Sequence, residues 1–385
     1  MNMRYVILLT LLLFIVVSPV SSTADYYTPR TLALGMGGLG FSYDFSALYN
    51  NPALLAFFQF SISGLSYQNR YGDYFDMETH LADLVRSWNQ AGEDSVFSGI
   101  DGIDEEILES GSAMYGFDAK TPGFLLKNFG VGFARIKSAY LSPVFSDGSL
   151  KYSEDGAPVF HSVGLKYTQY SLGYAMPVSK ILYFGASAHF LSGKIGFSDY
   201  SLSDSFFDAQ YESRDYIQNI IDSCEKKFTK LTLNLGLVWK ISDTLDIAVT
   251  MENIGNPSLY VDEENDTDIE LKQKYRASFS FRPANDWGFY GDFDLGKNPV
   301  YPGFDQERQL VSCGIEKAFF DNTTFLRLGL NTDISRKHIF GDKSKMTVSF
   351  GVGIRVSTIL VDAGLILNGN GTINGLAIAG YYIVN

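Results

Sequence analysis

From Met346 to Val356 the chain reads MTVSFGVGIRV, and this alternation limits the possible folds more than any other feature of the sequence. Met346, Val348, Phe350, Val352, Ile354 and Val356 fall on one side of an extended chain. Thr347, Ser349, Gly351, Gly353 and Arg355 fall on the other. Successive side chains of a strand point in opposite directions, so a sustained period of two means a strand with one apolar face. Leu231 to Ile241, Leu245 to Met251 and Tyr275 to Arg282 repeat the habit. Noisier segments begin near Phe57, Gly116, Val131, Lys166, Ile181, Trp287, Arg308, Thr323, Thr358 and Thr372. The total is about fourteen, an even number of the kind that closed membrane barrels use.

Alternation alone does not say where the apolar face points. It could face a soluble core, as in a β-sandwich or propeller, or it could face lipid. Connection lengths separate the two. Val178-Ser179-Lys180, Ser242-Asp243-Thr244, Ala284-Asn285-Asp286, Asp321-Asn322 and the turn at Ser357 are short. The connections 69–115, 142–165, 196–228, 255–270, 297–307 and 334–344 are long, and the two kinds alternate. One rim is therefore trim and the other elaborate, as in outer-membrane barrels with short periplasmic turns. Trp239 and Trp287 stand beside short turns, where an aromatic girdle belongs. The expected fold is all-β: a transmembrane antiparallel barrel of about fourteen strands. Helical pattern in two long connections, His80 to Asn89 and Ser205 to Phe228, predicts partly helical outer loops.

The beginning of the chain fits export. Arg4 precedes an unbroken apolar run, Tyr5 to Val17, and Ser22-Thr23-Ala24 offers small residues for cleavage. That run falls short of the roughly 20 residues of a spanning helix and reads as a cleaved signal peptide. The chain thus divides into a signal peptide (1–24), a periplasmic or lumenal segment (25–56) and an outer-membrane barrel (57–385). A net charge of −13 argues against nucleic acid, which needs basic patches. Cys224 and Cys313 alone make no disulfide framework.

The segment 25–56 holds the sequence GMGGLGFSYDFSALYNNPALLA, from Gly35 to Ala56. Its glycines satisfy G-x-G-x-x-G, yet no strand precedes them, an Asn-Asn-Pro turn follows, and Asp44 comes too early to hold a ribose. The dinucleotide reading fails on context. A segment between an exported N-terminus and the first barrel strand starts on the periplasmic side, and a large barrel leaves a lumen to fill. Gly35, Gly37, Gly38 and Gly40 permit a sharp backbone there, and Asn51-Pro52 fixes a turn. Phe41, Phe45 and Leu48 would present apolar groups to a hydrophobic ligand.

These residues carry a resemblance. Gly35, Met36, Gly37, Gly38, Asp44, Asn51, Pro52 and Ala53 resemble the leading signature of the FadL-type outer-membrane transporters and their PorV-like relatives: a Gly-Met-Gly-Gly run, an Asp, then Asn-Pro-Ala. The resemblance implies a fourteen-stranded barrel plugged by an N-terminal hatch. It also implies import of long-chain fatty acids or other hydrophobic compounds by diffusion, with membrane lipids and the barrel assembly machinery as partners and no cofactor. PorV-like relatives hold other secreted proteins on their surface loops, so a scaffold or adhesin is the alternative. The chain departs from such barrels at Asn385, where an aromatic usually stands.

A hydrophobic solute gains by leaving sideways into lipid, which requires a break in the ladder of backbone hydrogen bonds. Pro122 removes one ladder donor from the second strand or, alternatively, merely ends it near the rim. In the third strand Val131 and Phe133 share one face while Ile136 and Tyr140 take the other, which predicts a bulge. Together they mark strands two and three as the expected wall interruption. Arg276, Arg282, Arg327 and Arg355 share the polar phase of their strands with Asp246, Glu316 and Asp362. They are expected to pair across the lumen, and any one of the arginines could grip a carboxylate.

Enzyme motifs are missing from the sequence. His80, His161, His189 and His338 are scattered, and no H-E-x-x-H, C-x-x-C or G-x-S-x-G occurs.

Overall fold

The computed structural model describes residues 28–42, 44–71, 114–146, 149–151, 153, 159–201, 216–262, 267–299, 307–335, 346–367 and 373–384. Residues 1–24, read above as a signal peptide, and the His80 to Asn89 pattern lie outside them.

Fourteen antiparallel strands close into one barrel. They are β1 (Phe60–Tyr71), β2 (Met114–Leu126), β3 (Phe129–Pro143), β4 (Val159–Pro177), β5 (Leu182–Ser201), β6 (Lys226–Lys240) and β7 (Leu245–Ile254). The second half comprises β8 (Lys274–Ala284), β9 (Trp287–Asp294), β10 (Leu310–Phe319), β11 (Thr324–Asp333), β12 (Met346–Val356), β13 (Ile359–Leu367) and β14 (Ile373–Val384). Each strand pairs with its sequence neighbours, and β1 pairs with β14 from Phe60↔Val384 to Arg70↔Gly375, which leaves no edge. Closure satisfies the backbone in lipid, where an open edge could not be tolerated.

The apolar phase faces outward. In β12 Phe350 and Ile354 are 44% and 52% exposed, whereas the inward-facing Ser349 is 1% exposed. The same alternation holds in β6, where Leu231 and Leu233 are exposed and Thr232 and Asn234 buried. This is a transmembrane barrel with a lipid-facing exterior. Among the described residues no helix is long and apolar enough to cross a membrane.

The wall is taller on one side. β4 and β5 run 19 and 20 residues, while β9 has 8. Those long strands absorb residues that alternation assigned to connections, because paired backbone continues past the point where the side chains stop alternating. The Ser205 to Phe228 pattern is corrected likewise: its described part is a helix only over Tyr216–Asp222, and β6 has begun by Lys226. Short turns use left-handed backbone, with φ of 67° at Asn128 and 56° at Ser357. Asparagine tolerates that region through its small polar side chain.

The leading segment lies within this ring. Helix α1 (Pro29–Ala33) is capped by Thr28 and starts on proline, which has no N–H to leave unpaired. A 3-10 turn (Leu39–Phe41), helix α2 (Ala47–Asn50) and a second 3-10 stretch (Pro52–Phe57) follow. That last element moves the start of β1 from Phe57 to Phe60. From Thr28 to Leu55 every described side chain is buried, and the segment packs against inward-facing residues of strands around the whole ring.

Candidate functional site

The bore is floored by the leading segment, which its own polar side chains hold in shape. Asp44 is the hub. Its Oδ2 accepts from the Thr28 hydroxyl at 2.8 Å, and its Oδ1 accepts from the Ser46 amide at 2.8 Å and hydroxyl at 2.7 Å. Asn51 ties two further turns: its Nδ2 donates to the Gly40 carbonyl at 2.8 Å, and its Oδ1 accepts from the Ala53 amide at 3.2 Å. Pro52 and Ala53 open the second 3-10 stretch, against the inner face of Gly185 in β5. Gly35 and Gly38 adopt φ of 68° and 85°, and Met36 follows Gly35 into the same region at 64°. Close approach explains the partner glycines on the wall. At Gly329 in β11 a Cβ would overlap the Gly35 nitrogen, so backbone touches backbone there.

Charged groups fasten the segment to the wall. Arg30 grips Glu316 of β10 with two bonds of 3.0 Å, a planar fork meeting a carboxylate, and lies 4.8 Å over the Tyr290 ring. Glu316 also receives Arg327 at 2.6 Å, and Arg327 reaches Asp362 at 2.6 Å. Farther round, the Leu39 amide donates to Asp292 Oδ2 at 2.9 Å. Arg276 bridges Glu252 and Asp294, and Arg282 meets Asp246 at 2.6 Å. Sequence reasoning paired the barrel charges but missed Arg30. Its one signal is a lone cation directly after a Thr-Pro helix start, which gives no hint of a partner 286 residues away.

Phe41, Phe45 and Leu48 are all covered by protein. The Phe45 ring lies on the inner faces of Gly123 in β2 and Gly132 in β3, and meets Tyr49 edge-on at 5.5 Å. Tyr49 stacks on His189 at 5.8 Å, whose ring nitrogens lie 2.8 and 3.0 Å from the Ser171 and Ser187 hydroxyls.

Above this floor the bore is apolar on its tall side. Tyr140, Val163, Leu165, Leu191, Ile195 and Phe228 form a buried cluster with Leu259, Ile269 and Leu271, which come from the β7–β8 connection. Tyr167 packs against this cluster and also against the cluster around Phe45 and Leu48. The two are therefore one apolar column. Helix α3 (Tyr216–Asp222) backs it, with its last carbonyls receiving Lys166 Nζ at 2.9 and 3.3 Å. Burial beside it pushes the Cys224 thiol up to about 11, which makes it an inert packing group. Cys313 is exposed on the lipid face.

The expected irregularity is present at Pro122, but the bulge expected in the third strand is not. β3 pairs with β4 in unbroken register from Phe129 to Pro143, so the third strand has no bulge. Val131 and Phe133 simply face outward and Ile136 inward, because the bore itself is apolar there and polarity no longer marks the inner face. The register shifts in β1, between Ser63 and Ser66, against both β2 and β14, and also in the β6–β7, β8–β9 and β13–β14 ladders. Pro122 lies opposite the β1 bulge. Within the β2–β3 ladder, pairing is interrupted between Lys120↔Arg135 and Gly123↔Gly132. Phe45 thus sits just inside the one stretch of wall where β1 and β2 depart from regular pairing.

At the short-turn mouth a cavity of about 220 Å³ opens between the segment and the wall, lined in part by Arg30, Arg282, Tyr290, Glu316, Arg327 and Arg355.

No protein-family model matches the chain, and no curated protein is significantly similar to it. Solved structures are. The chain is similar to the CymD monoaromatic hydrocarbon channel at a TM-score of 0.56 and 10% identity, covering 95% of this chain and 99% of that one. It is similar to the toluene transporter TodX of Pseudomonas putida at 0.51 and 11%, covering 94% and 100%. A TodX variant described as a monoaromatic hydrocarbon channel matches at 0.51 and 13%, covering 93% and 98%. Over nearly its whole length this chain shares the fold of those channels.

Proposed function

We propose that this protein lets hydrophobic small molecules diffuse inward across the outer membrane of a diderm bacterium, with residues 25–56 acting as a hatch. The observation that carries the reading is the apolar column joined at Tyr167, which runs from beneath the long connections to Phe45. A soluble ion gains nothing from such a surface, whereas an apolar solute gains about 25 cal/mol for each Å² it removes from water. Long-chain fatty acids are the finer proposal; the monoaromatic compounds named for CymD and TodX are the other chemistry that fits the column.

The exit we propose is sideways, past Phe45 and through the irregular ladder of β1 and β2 at Pro122. Phe41, Phe45 and Leu48 become ligand contacts only when the hatch shifts, because all three are otherwise covered. A cleaved signal peptide (1–24) and insertion by the barrel assembly machinery complete the proposal.

The test is uptake of radiolabelled oleate and toluene by cells making the protein. Cells lacking it should take up both more slowly; equal rates would overturn transport. Pro122→Val, which restores a ladder donor, should slow uptake at least several-fold. Undiminished uptake by that variant would remove the lateral exit and leave transport itself standing.

A further inference from the structure

Of Arg276, Arg282, Arg327 and Arg355, which share the inward phase of β8, β11 and β12, three have carboxylate partners. Arg276 lies between Glu252 and Asp294, Arg327 between Glu316 and Asp362, and Arg282 binds Asp246. Arg355 is different. It is the last inward-facing residue of β12 before the Ser357 turn, and among the described residues no carboxylate lies within ion-pair distance of it. Its guanidinium lies over the Phe325 ring at 5.6 Å, with Arg327 over the same ring at 5.4 Å. A cation over a ring face keeps its N–H groups available to an anion.

Arg355 lines the cavity at the short-turn mouth. Phe325, Tyr290, Ala318 and Leu360 supply apolar surface beside it, and Arg282, which keeps 37% of its side chain exposed, lines it as a second cation. A guanidinium with no carboxylate partner among the described residues, next to apolar surface, is a receptor for an anion with an apolar tail. A dianionic phosphate would need a second free cation, and the other arginines lining the cavity are each committed to a carboxylate. At about 220 Å³ the space holds a carboxylate with a ring or a short chain.

We propose that this cavity is a binding site for monocarboxylates, with Arg355 receiving the carboxylate and Phe325 and Leu360 meeting the adjoining carbons. It lies beneath the leading segment at the periplasmic mouth, so an acidic solute is held at that end of the bore on its way to the lateral exit while a neutral hydrocarbon is not. The role in exit rests on the transport reading; the binding does not.

The experiment uses the full-length protein in a nonionic detergent and 4-fluorobenzoate observed by ¹⁹F NMR. The neutral isostere 4-fluorobenzyl alcohol and inorganic phosphate are run beside it. Arg355→Gln and Arg355→Lys are compared with the unaltered chain, each first shown to be folded by its faster migration in unheated gels. Benzoate should bind at least about tenfold more tightly than the alcohol, the size of one charge-assisted bond pair in a half-exposed site. Arg355→Gln should erase that margin and Arg355→Lys should keep part of it. Equal binding of acid and alcohol, benzoate binding untouched in Arg355→Gln, or displacement by phosphate as effective as by benzoate would each overturn the assignment. Hydrocarbon uptake is read separately, so failure here and failure of the transport reading are distinguishable.

Discussion

Arg30 shows how a single side chain can decide the position of a whole segment. It is buried, and its charge is tolerable only because Glu316 meets it with two bonds and the Phe41 carbonyl accepts a third at 3.3 Å. Arg30→Gln removes the fork. Breaking a buried pair costs about 3–5 kcal/mol, and since Glu316 keeps Arg327 the lower end, about 3 kcal/mol, is expected. Amide hydrogen exchange over residues 29–41 should then quicken by about a hundredfold while the barrel strands keep their protection. Gly329→Val tests the opposite failure. The added atoms would meet the Gly35 backbone, an overlap costing about 1–3 kcal/mol, and the same amides should exchange faster. Unchanged exchange in both variants would mean that the segment is not held where the contacts place it. Neither partner was legible in the sequence: Gly329 looks like any other glycine on a polar strand face, and its use appears only when Gly35 lies against it.

Elements of the wall obey a simpler rule, since each strand needs lipid on one side and the bore on the other. Phe350 stands at the middle of β12 and faces lipid. Phe350→Arg should cost about 2–4 kcal/mol, the depth-dependent penalty for a cation near the midplane. Ser349→Ala, one residue away, loses only the bond to the Ala33 carbonyl at 3.1 Å and should cost about 1 kcal/mol. Urea unfolding of protein refolded in liposomes measures both, and equal costs would contradict the orientation of the strand. Strand existence and number were legible because alternation is a local property. The bulge was not, since Ile136 and Tyr140 read as a change of face only if the bore is assumed polar. An apolar column inside the barrel makes that assumption fail, and it fails in the strands that line the proposed path.

As a whole, the molecule separates a closed cylinder from the segment inside it. The β1–β14 ladder closes without help from residues 28–58, so deleting them should leave a folded barrel with heat-modifiable mobility. Conductance in planar bilayers should rise from near zero to that of an open pore; a barrel that fails to fold, or that stays closed, would count against a separable plug. The tall wall of β3–β6 carries the apolar column, while the low wall of β8–β13 carries the ion pairs that hold Arg30 and the cavity at Arg355. The bore is thus apolar on one flank and charged on the other.

The amino-acid order by itself determined the strand period, the strand number, the alternation of short and long connections and the turn-forming segment that precedes the barrel. Each of these follows from neighbours within about ten residues, where side-chain direction and backbone preference are fixed locally. Tertiary structure alone decided that Arg30 meets Glu316, that among the described residues Arg355 meets no carboxylate, that the bulge opposite Pro122 belongs to β1, and that part of the lumen is apolar. Those facts depend on which residues closure of the barrel brings face to face across the bore, and a linear sequence holds no record of that distance.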